Sequence, residues 1–196
     1  MDQQVQKDLV EKITHRYPED RIFAEENGLR SPISEGSVWV IDPIDGTNNF
    51  VTQKEDFAVM VAYFEDGIGQ FGLIYDVMRD HLFYGGGEFP VYRNEVELTP
   101  FVDQPLENFL IASNVGMLEI NDWGMADLGM DSLGIRVYGS AGISFSKILS
   151  GGILAYFSYI WPWDYAAAAI MGEQLGYTLL NLNGDKPNYQ SVEPIM

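Results

Sequence analysis

Asp42 and Asp45 are two carboxylates three residues apart, set directly after the apolar run Val38-Trp39-Val40-Ile41. The run reads as a buried strand with Asp42 at its end. Pro43 cannot donate to a sheet ladder and Asp45-Gly46 is a turn signal, so a sharp turn is expected here. Such a turn brings both acids and the Ile44 carbonyl toward one point. Oxygen ligands held in a rigid cluster are what a hard cation such as Mg²⁺ takes. Asp-Pro and Asp-Gly are equally common in plain turns, so the pair alone favours a structural reading.

The longer string changes that balance. DPIDGTNNF, residues 42–50, resembles the D-P-[IL]-D-G-T-x-[NS]-F signature of the inositol monophosphatase family of Mg²⁺-dependent, lithium-sensitive phosphatases. Upstream, Phe23-Ala24-Glu25-Glu26-Asn27 is similar to the family's G-E-E element. Downstream, Trp163-Asp164-Tyr165-Ala166-Ala167-Ala168 resembles its W-D-x-A-A-G element, with Ala168 where the family usually has Gly. Three motifs in the family's order span nearly the whole chain and are specific together.

The resemblance implies a site. One metal would take Glu25, Asp42 and the Ile44 carbonyl, a second Asp42, Asp45 and Asp164, and a third would lean on Glu25 and waters. Thr47 and Glu25 would orient the nucleophilic water, and Asp2, matching the acid of a T-x-x-D element, would contact Thr47. The Gly46 and Thr47 amides would hold phosphate oxygens at a helix start. Gly139-Ser140-Ala141 resembles a G-[ST]-A element, so Ser140 and Ala141 would meet substrate hydroxyls. Ser140 and Asp164 also read as ordinary helix caps. Glu26 is expected to act from behind the ligands. The segment Ser158–Pro162 lacks the Glu that inositol-preferring members use, which turns the expectation away from inositol itself.

Composition bounds the alternatives. A chain of 196 residues, 46% hydrophobic and 13% aromatic, can bury a sizeable core and reads as a folded globule. With 29 acids against 11 bases the formal net charge is −18, which repels nucleic acid and anionic lipid. An anionic substrate then needs local cations, which bound Mg²⁺ would supply. There is no cysteine, hence no disulfide, thiolate ligand or cysteine nucleophile. No cationic leader precedes an apolar core and no run approaches membrane-spanning length, so a cytoplasmic protein is expected. His15 and His81 are scattered and read as surface or structural residues.

Periodicity along the chain gives the surrounding secondary structure. Val5, Leu9 and Ile13 mark a helix ending near Tyr17-Pro18. Strands are expected at 21–24, 38–41, 57–64, 68–75, 81–84 and 91–98, with Asp66-Gly67 a hairpin turn and Gly85-Gly86-Gly87 a flexible connection rather than a phosphate loop. The second half reads as a strand at 108–112, a helix before Leu133, a strand at 135–138, a helix to about Leu149, a strand at 153–159, a helix at 164–175 and a last strand at 177–182.

These elements, with the family resemblance, give the expected fold: an αβαβα sandwich, α+β to α/β layered, with an antiparallel sheet in the N-terminal half and a second mixed sheet in the C-terminal half. Residues 1–104 are expected as a metal-site α+β subdomain and 105–196 as an α/β subdomain of one catalytic unit. The expected function is hydrolysis of a small phosphate monoester, such as an inositol or sugar monophosphate, with two or three Mg²⁺ ions in a homodimer. Adenosine bisphosphate or NADP is the alternative substrate. A non-catalytic metal-binding relic is a further alternative, since the chain opens at Met1-Asp2 and stops at Ile195-Met196, short of the family's terminal elements.

Overall fold

The computed structural model describes residues 1–103, 105–189 and 193–196. Helix α1 (Asp2–Arg16) carries Val5, Leu9 and Ile13 half-buried and lies against the first sheet. That sheet has seven strands in sequential order: β1 (Arg21–Ala24), β2 (Ser37–Asp45), β3 (Ala58–Glu65), β4 (Ile68–Asp76), β5 (His81–Gly86), β6 (Phe89–Arg93) and β7 (Val96–Glu97). Only the β1–β2 pairing is parallel; the others are antiparallel. Between β2 and β3 sits the short helix α2 (Thr47–Thr52). Asp66 and Gly67 have φ of 48° and 80°, so both centres of the β3–β4 turn are left-handed, as a two-residue hairpin requires.

The second sheet runs in the order β11-β10-β8-β9, from β8 (Leu110–Ser113), β9 (Gly134–Arg136), β10 (Tyr156–Ile160) and β11 (Glu193–Ile195). β8 is parallel to both neighbours and β11 is antiparallel, so this sheet is mixed. Helices α5 (Ala141–Leu149) and α6 (Pro162–Gln174) fill the space between the sheets. Val38, Val40, Met60, Ala62, Phe64 and Ile74 pack there with Ile143, Ala166, Ala167 and Met171. Ile111 and Phe157 pack on the far face against α3 (Val115–Glu119) and α4 (Met125–Asp131). The layers are thus α, β, α, β, α.

Helix α6 approaches the first sheet closely because both surfaces are small. A Cβ at Gly72 of β4 would lie 2.3 Å from the Ala167 carbonyl oxygen, and one at Gly69 would lie 2.4 Å from Ile170 Cγ1. Strand glycine facing helix alanine lets the two backbones meet. The position of Asp164, in the first turn of α6, depends on this seam.

Four local expectations are corrected. The chain does not turn at Asp42-Pro43; β2 continues to Asp45 through an irregular register. The strand expected over 91–98 is split at Asn94 (φ 55°) into β6 and β7. The single helix before Leu133 is two, α3 and α4, separated by left-handed Asn121, Trp123 and Gly124. No strand forms over 177–182: Asn181 makes one isolated bridge to Ile195, and the pairing strand is β11. Tyr177 and Leu179 still pack against the core, so their apolar character reports burial without a ladder. The subdomain boundary at Gln104 lies outside the described residues.

Candidate metal centre

Two strand residues three apart should face opposite sides of a sheet, because side chains alternate. In β2 they do not. Asp42 pairs with Met60 and Asp45 with Ala58, so three steps along β2 match two along β3. The extra residue is a bulge, and Pro43, with no N–H to donate, sits inside it. Met60 and Ala58 share a face, so their partners Asp42 and Asp45 share it too, turned toward α5 and α6. Both acids are buried, Asp42 to 1% exposure. Its Oδ1 accepts from the Ile44 amide at 3.0 Å.

The remaining acids come from three other elements. Glu25 follows β1 and extends the parallel pairing, its N–H donating to the Ile41 carbonyl at 3.2 Å; its carboxyl lies within hydrogen-bond reach of Asp42. Asp164 accepts from the Trp161 amide at 2.7 Å, while its own N–H donates to the Trp161 carbonyl at 3.0 Å. That is a helix cap, and the same carboxyl also reaches Asp42. One oxygen each from Asp42, Asp45 and Asp164 lie within 4.8 Å of one another. Asp2, at the start of α1, has Oδ2 at 3.2 Å from the Thr47 hydroxyl, which lies 3.1 Å from the Ile44 carbonyl. The single Thr47 proton serves those two acceptors in turn.

Ser140 and Ala141 face Asp45 rather than open space. The Ser140 hydroxyl donates to Asp45 Oδ2, and the Ala141 and Gly142 amides donate to its two oxygens at 3.0 and 2.8 Å. Ser140 Oγ also accepts from the Ile143 amide at 3.1 Å, capping α5. The amide of Ala141 expected at substrate hydroxyls is thus committed to an acid of the cluster. Gly46, left-handed at φ 84°, caps α2 and lies against Ser140.

Burial is the first cause of raised carboxyl pKa values at all four acids. It lifts Asp42 well above the usual range, aided by the charges of Asp45, Asp164 and Glu25. Asp164 is pushed up to about 8 by burial and then by Asp45, against the lowering effect of the Trp161 amide. Glu25 rises through burial despite its bond to Asp42. Asp45 rises through burial against the donors from Ser140, Gly142 and Ala141. Clustered carboxylates that ionise this reluctantly suit a divalent cation, and an all-oxygen donor set suits Mg²⁺ over softer metals.

Several residues the sequence did not single out complete the site. Gln6, on α1, clasps the Glu26 backbone. Arg30 donates to the carbonyls of Ala24 and Glu25 and lies 4.5 Å above the Trp163 ring. Asn49 joins α2 to the Asp56 and Tyr138 carbonyls at 2.9 and 2.7 Å. Polar residues on an amphipathic helix or inside a motif carry no mark of such partners. His15 is exposed on α1 and His81 packs edge-on to Phe83, both apart from the acids.

The family model described as the inositol monophosphatase family matches residues 1–196. The Inositol-1-monophosphatase of Bacillus subtilis (strain 168) is 36% identical over 191 residues, covering 94% of this chain and 72% of that protein. The crystal structure of Staphylococcal IMPase-II superposes with a TM-score of 0.93 at 31% identity, over 99% of this chain and 75% of that one. An IMPase/NADP phosphatase complexed with Mg²⁺ and phosphate gives 0.91 at 26% identity, over 99% and 74%. This chain belongs to the inositol monophosphatase family, and it is a phosphoric monoester hydrolase. Among the described residues, no helix is long and apolar enough to cross a membrane.

Mg²⁺ is expected to raise the melting midpoint, because it relieves repulsion among Glu25, Asp42, Asp45 and Asp164 and binds only the folded site. At a hundred times its dissociation constant the gain is about 2.7 kcal/mol, roughly 5–10 °C for a chain of this size. The rise should shrink in Asp164→Asn. Calorimetry across a Mg²⁺ series checks both, and a flat midpoint would remove the metal assignment.

Proposed function

We propose that this enzyme is a Mg²⁺-dependent phosphatase acting on a small phosphate monoester such as an inositol or sugar monophosphate. The observation that carries the proposal is the convergence of buried Asp42 and Asp45 with half-buried Asp164 within 4.8 Å, with Glu25 at hydrogen-bond reach of Asp42. Asp42, between Asp45, Asp164 and Glu25, would be the shared ligand of two ions; Glu25 and the Ile44 carbonyl would complete one set, Asp45 and Asp164 the other. A third ion would rest on Glu25. When bound, Mg²⁺ supplies positive charge against the phosphate and leaving alkoxide and acidifies the attacking water.

The chain's own residues do the rest. Glu25 and the Thr47 hydroxyl orient the water, and Asp2 holds that hydroxyl. Ser140, Ala141 and Gly142 fix the plane of the Asp45 carboxylate, so its remaining lone pairs point one way. The first amides of α2, at Gly46 and Thr47, face the phosphate. Two copies assemble as a homodimer, a state that light scattering in solution checks.

A second reading has its own support. Ser158–Pro162 offers no Glu to grip inositol hydroxyls. One related structure is of SaIMPase-II bound to 2'AMP, and another is of an IMPase/NADP phosphatase. A nucleotide 2'-phosphate is therefore the alternative substrate. A phosphate-release panel over inositol, sugar and nucleotide monophosphates and NADP, with and without Mg²⁺, separates the two. Release from none of them would sink both.

Lithium is expected to inhibit this release at subsaturating Mg²⁺ while the fold stays intact. A small monovalent ion between Asp45 and Asp164 brings too little charge to stabilise the leaving alkoxide. A related structure is an inhibitory complex soaked in LiCl. Phosphate release is followed against a lithium series at several Mg²⁺ concentrations, with sodium as control. Equal responses to the two ions would count against this arrangement.

A further inference from the structure

The one fully buried side chain of α1 is polar: Gln6, at 1% exposure. Burying an amide costs free energy unless both its ends are bonded, and here both are. Gln6 Oε1 accepts from the Glu26 N–H at 2.9 Å, and Gln6 Nε2 donates to the Glu26 carbonyl at 2.8 Å. The two bonds reproduce what a neighbouring strand would give Glu26. The chain needs such a partner because it leaves the sheet there: β1 ends at Ala24, Glu25 is helical (φ −60°, ψ −51°) and Asn27 is left-handed.

The neighbouring peptide groups are pinned as well. The Glu25 N–H donates to Ile41, and Arg30 donates to the Ala24 and Glu25 carbonyls. Gln6 supplies two more bonds, one on each of the peptide groups that flank the Glu26 Cα. One helical turn earlier on the same face, Asp2 meets Thr47. Helix α1 therefore touches the site twice, through residues four apart.

We propose that Gln6 is a positioning residue: its amide clasp on Glu26 fixes the Glu25 carboxylate in the acidic cluster and so sets the affinity of the site for Mg²⁺. The inference rests on the proposed role of Glu25 as a metal ligand. Gln6 touches neither substrate nor metal; it acts through the backbone.

The test uses the full chain with Gln6→Met, which fills the same space without an amide, and Gln6→Asn, which keeps the amide but shortens its reach. Asn94→Gly is the control. Asn94 makes a similar two-bond clasp, accepting from the Leu82 N–H at 2.8 Å and donating to the Asp80 carbonyl at 3.1 Å, four strands along the sheet from β2. Two readouts are taken: the Mg²⁺ concentration giving half-maximal phosphate release, and the one giving half the Mg²⁺-induced rise in melting midpoint.

Loss of a partner behind a metal ligand shifts affinity by about 10-fold or more. Gln6→Met should move both Mg²⁺ midpoints up about 10-fold, with turnover at saturating Mg²⁺ near wild type. Gln6→Asn should shift them in the same direction by less, and it carries the test if the Met variant does not fold. Asn94→Gly should lower the Mg²⁺-free melting midpoint and leave both Mg²⁺ midpoints in place. Wild-type Mg²⁺ midpoints in the folded Gln6 variants would overturn the proposal, as would shifts equal to those of Asn94→Gly. Glu25→Gln separates the two levels: if it too leaves the Mg²⁺ response unchanged, the ligand role of Glu25 fails, and the positioning role with it.

Discussion

Asp42→Asn is expected to lower turnover by about 10³-fold, roughly 4 kcal/mol of transition-state stabilisation. The size follows from position. Asp42 lies beside Glu25, Asp45 and Asp164 at once, so one lost charge weakens every cation the cluster holds. Stability should move the other way. In metal-free protein the buried Asp42 carboxyl is repelled by its neighbours, and a neutral amide of the same shape relieves that. The Mg²⁺-free melting midpoint of Asp42→Asn should therefore equal or exceed that of wild type. Opposite signs in the two measurements distinguish a functional acid from a structural one. Wild-type phosphate release from the variant at saturating Mg²⁺ would end the shared-ligand assignment.

Gly72→Val is expected to give the largest loss of stability. Its Cβ would sit 2.3 Å from the Ala167 carbonyl oxygen and 2.9 Å from Ala167 Cα, both backbone atoms that no rotamer change can clear. Helix α6 must lift off β4, at a cost of about 3 kcal/mol. For a chain of this length that lowers the melting midpoint by about 6–12 °C. Because α6 carries Asp164, the variant that still folds should also need more Mg²⁺ for the same thermal shift. Thermal melts with and without Mg²⁺ test both parts. A midpoint within 2 °C of wild type would show that the seam gives way more easily than its geometry implies.

The order of the motifs was readable from the chain because the acids lie at or just after strand ends or in the first turn of a helix, and strand ends gather on one edge of a layered fold. Their common facing was not. Asp42 and Asp45 meet only because β2 has one more residue than β3 across that stretch, and a register is a property of two strands that neither sequence carries alone. Ser140 and Ala141 were legible as site residues from their motif, but their bonds to Asp45 were not, since that acid is 95 and 96 positions away in sequence. Gln6 was invisible for a similar reason. A glutamine on an amphipathic helix usually faces water, and nothing local records that this one meets the peptide of Glu26. The segment 177–182 misled in the other direction, since its apolar residues are half-buried without pairing as a strand.

On the proposed function, this chain is a phosphatase because its four acids hold Mg²⁺. The most direct measurement strips the protein with a chelator and follows phosphate release from inositol, sugar and nucleotide monophosphates as Mg²⁺ is returned. The expected result is no release without the ion and a saturable rise with it, at the same Mg²⁺ concentrations that raise the melting midpoint. Release that proceeds at full rate in the chelator, or no release from any monoester at any Mg²⁺ concentration, would contradict the account.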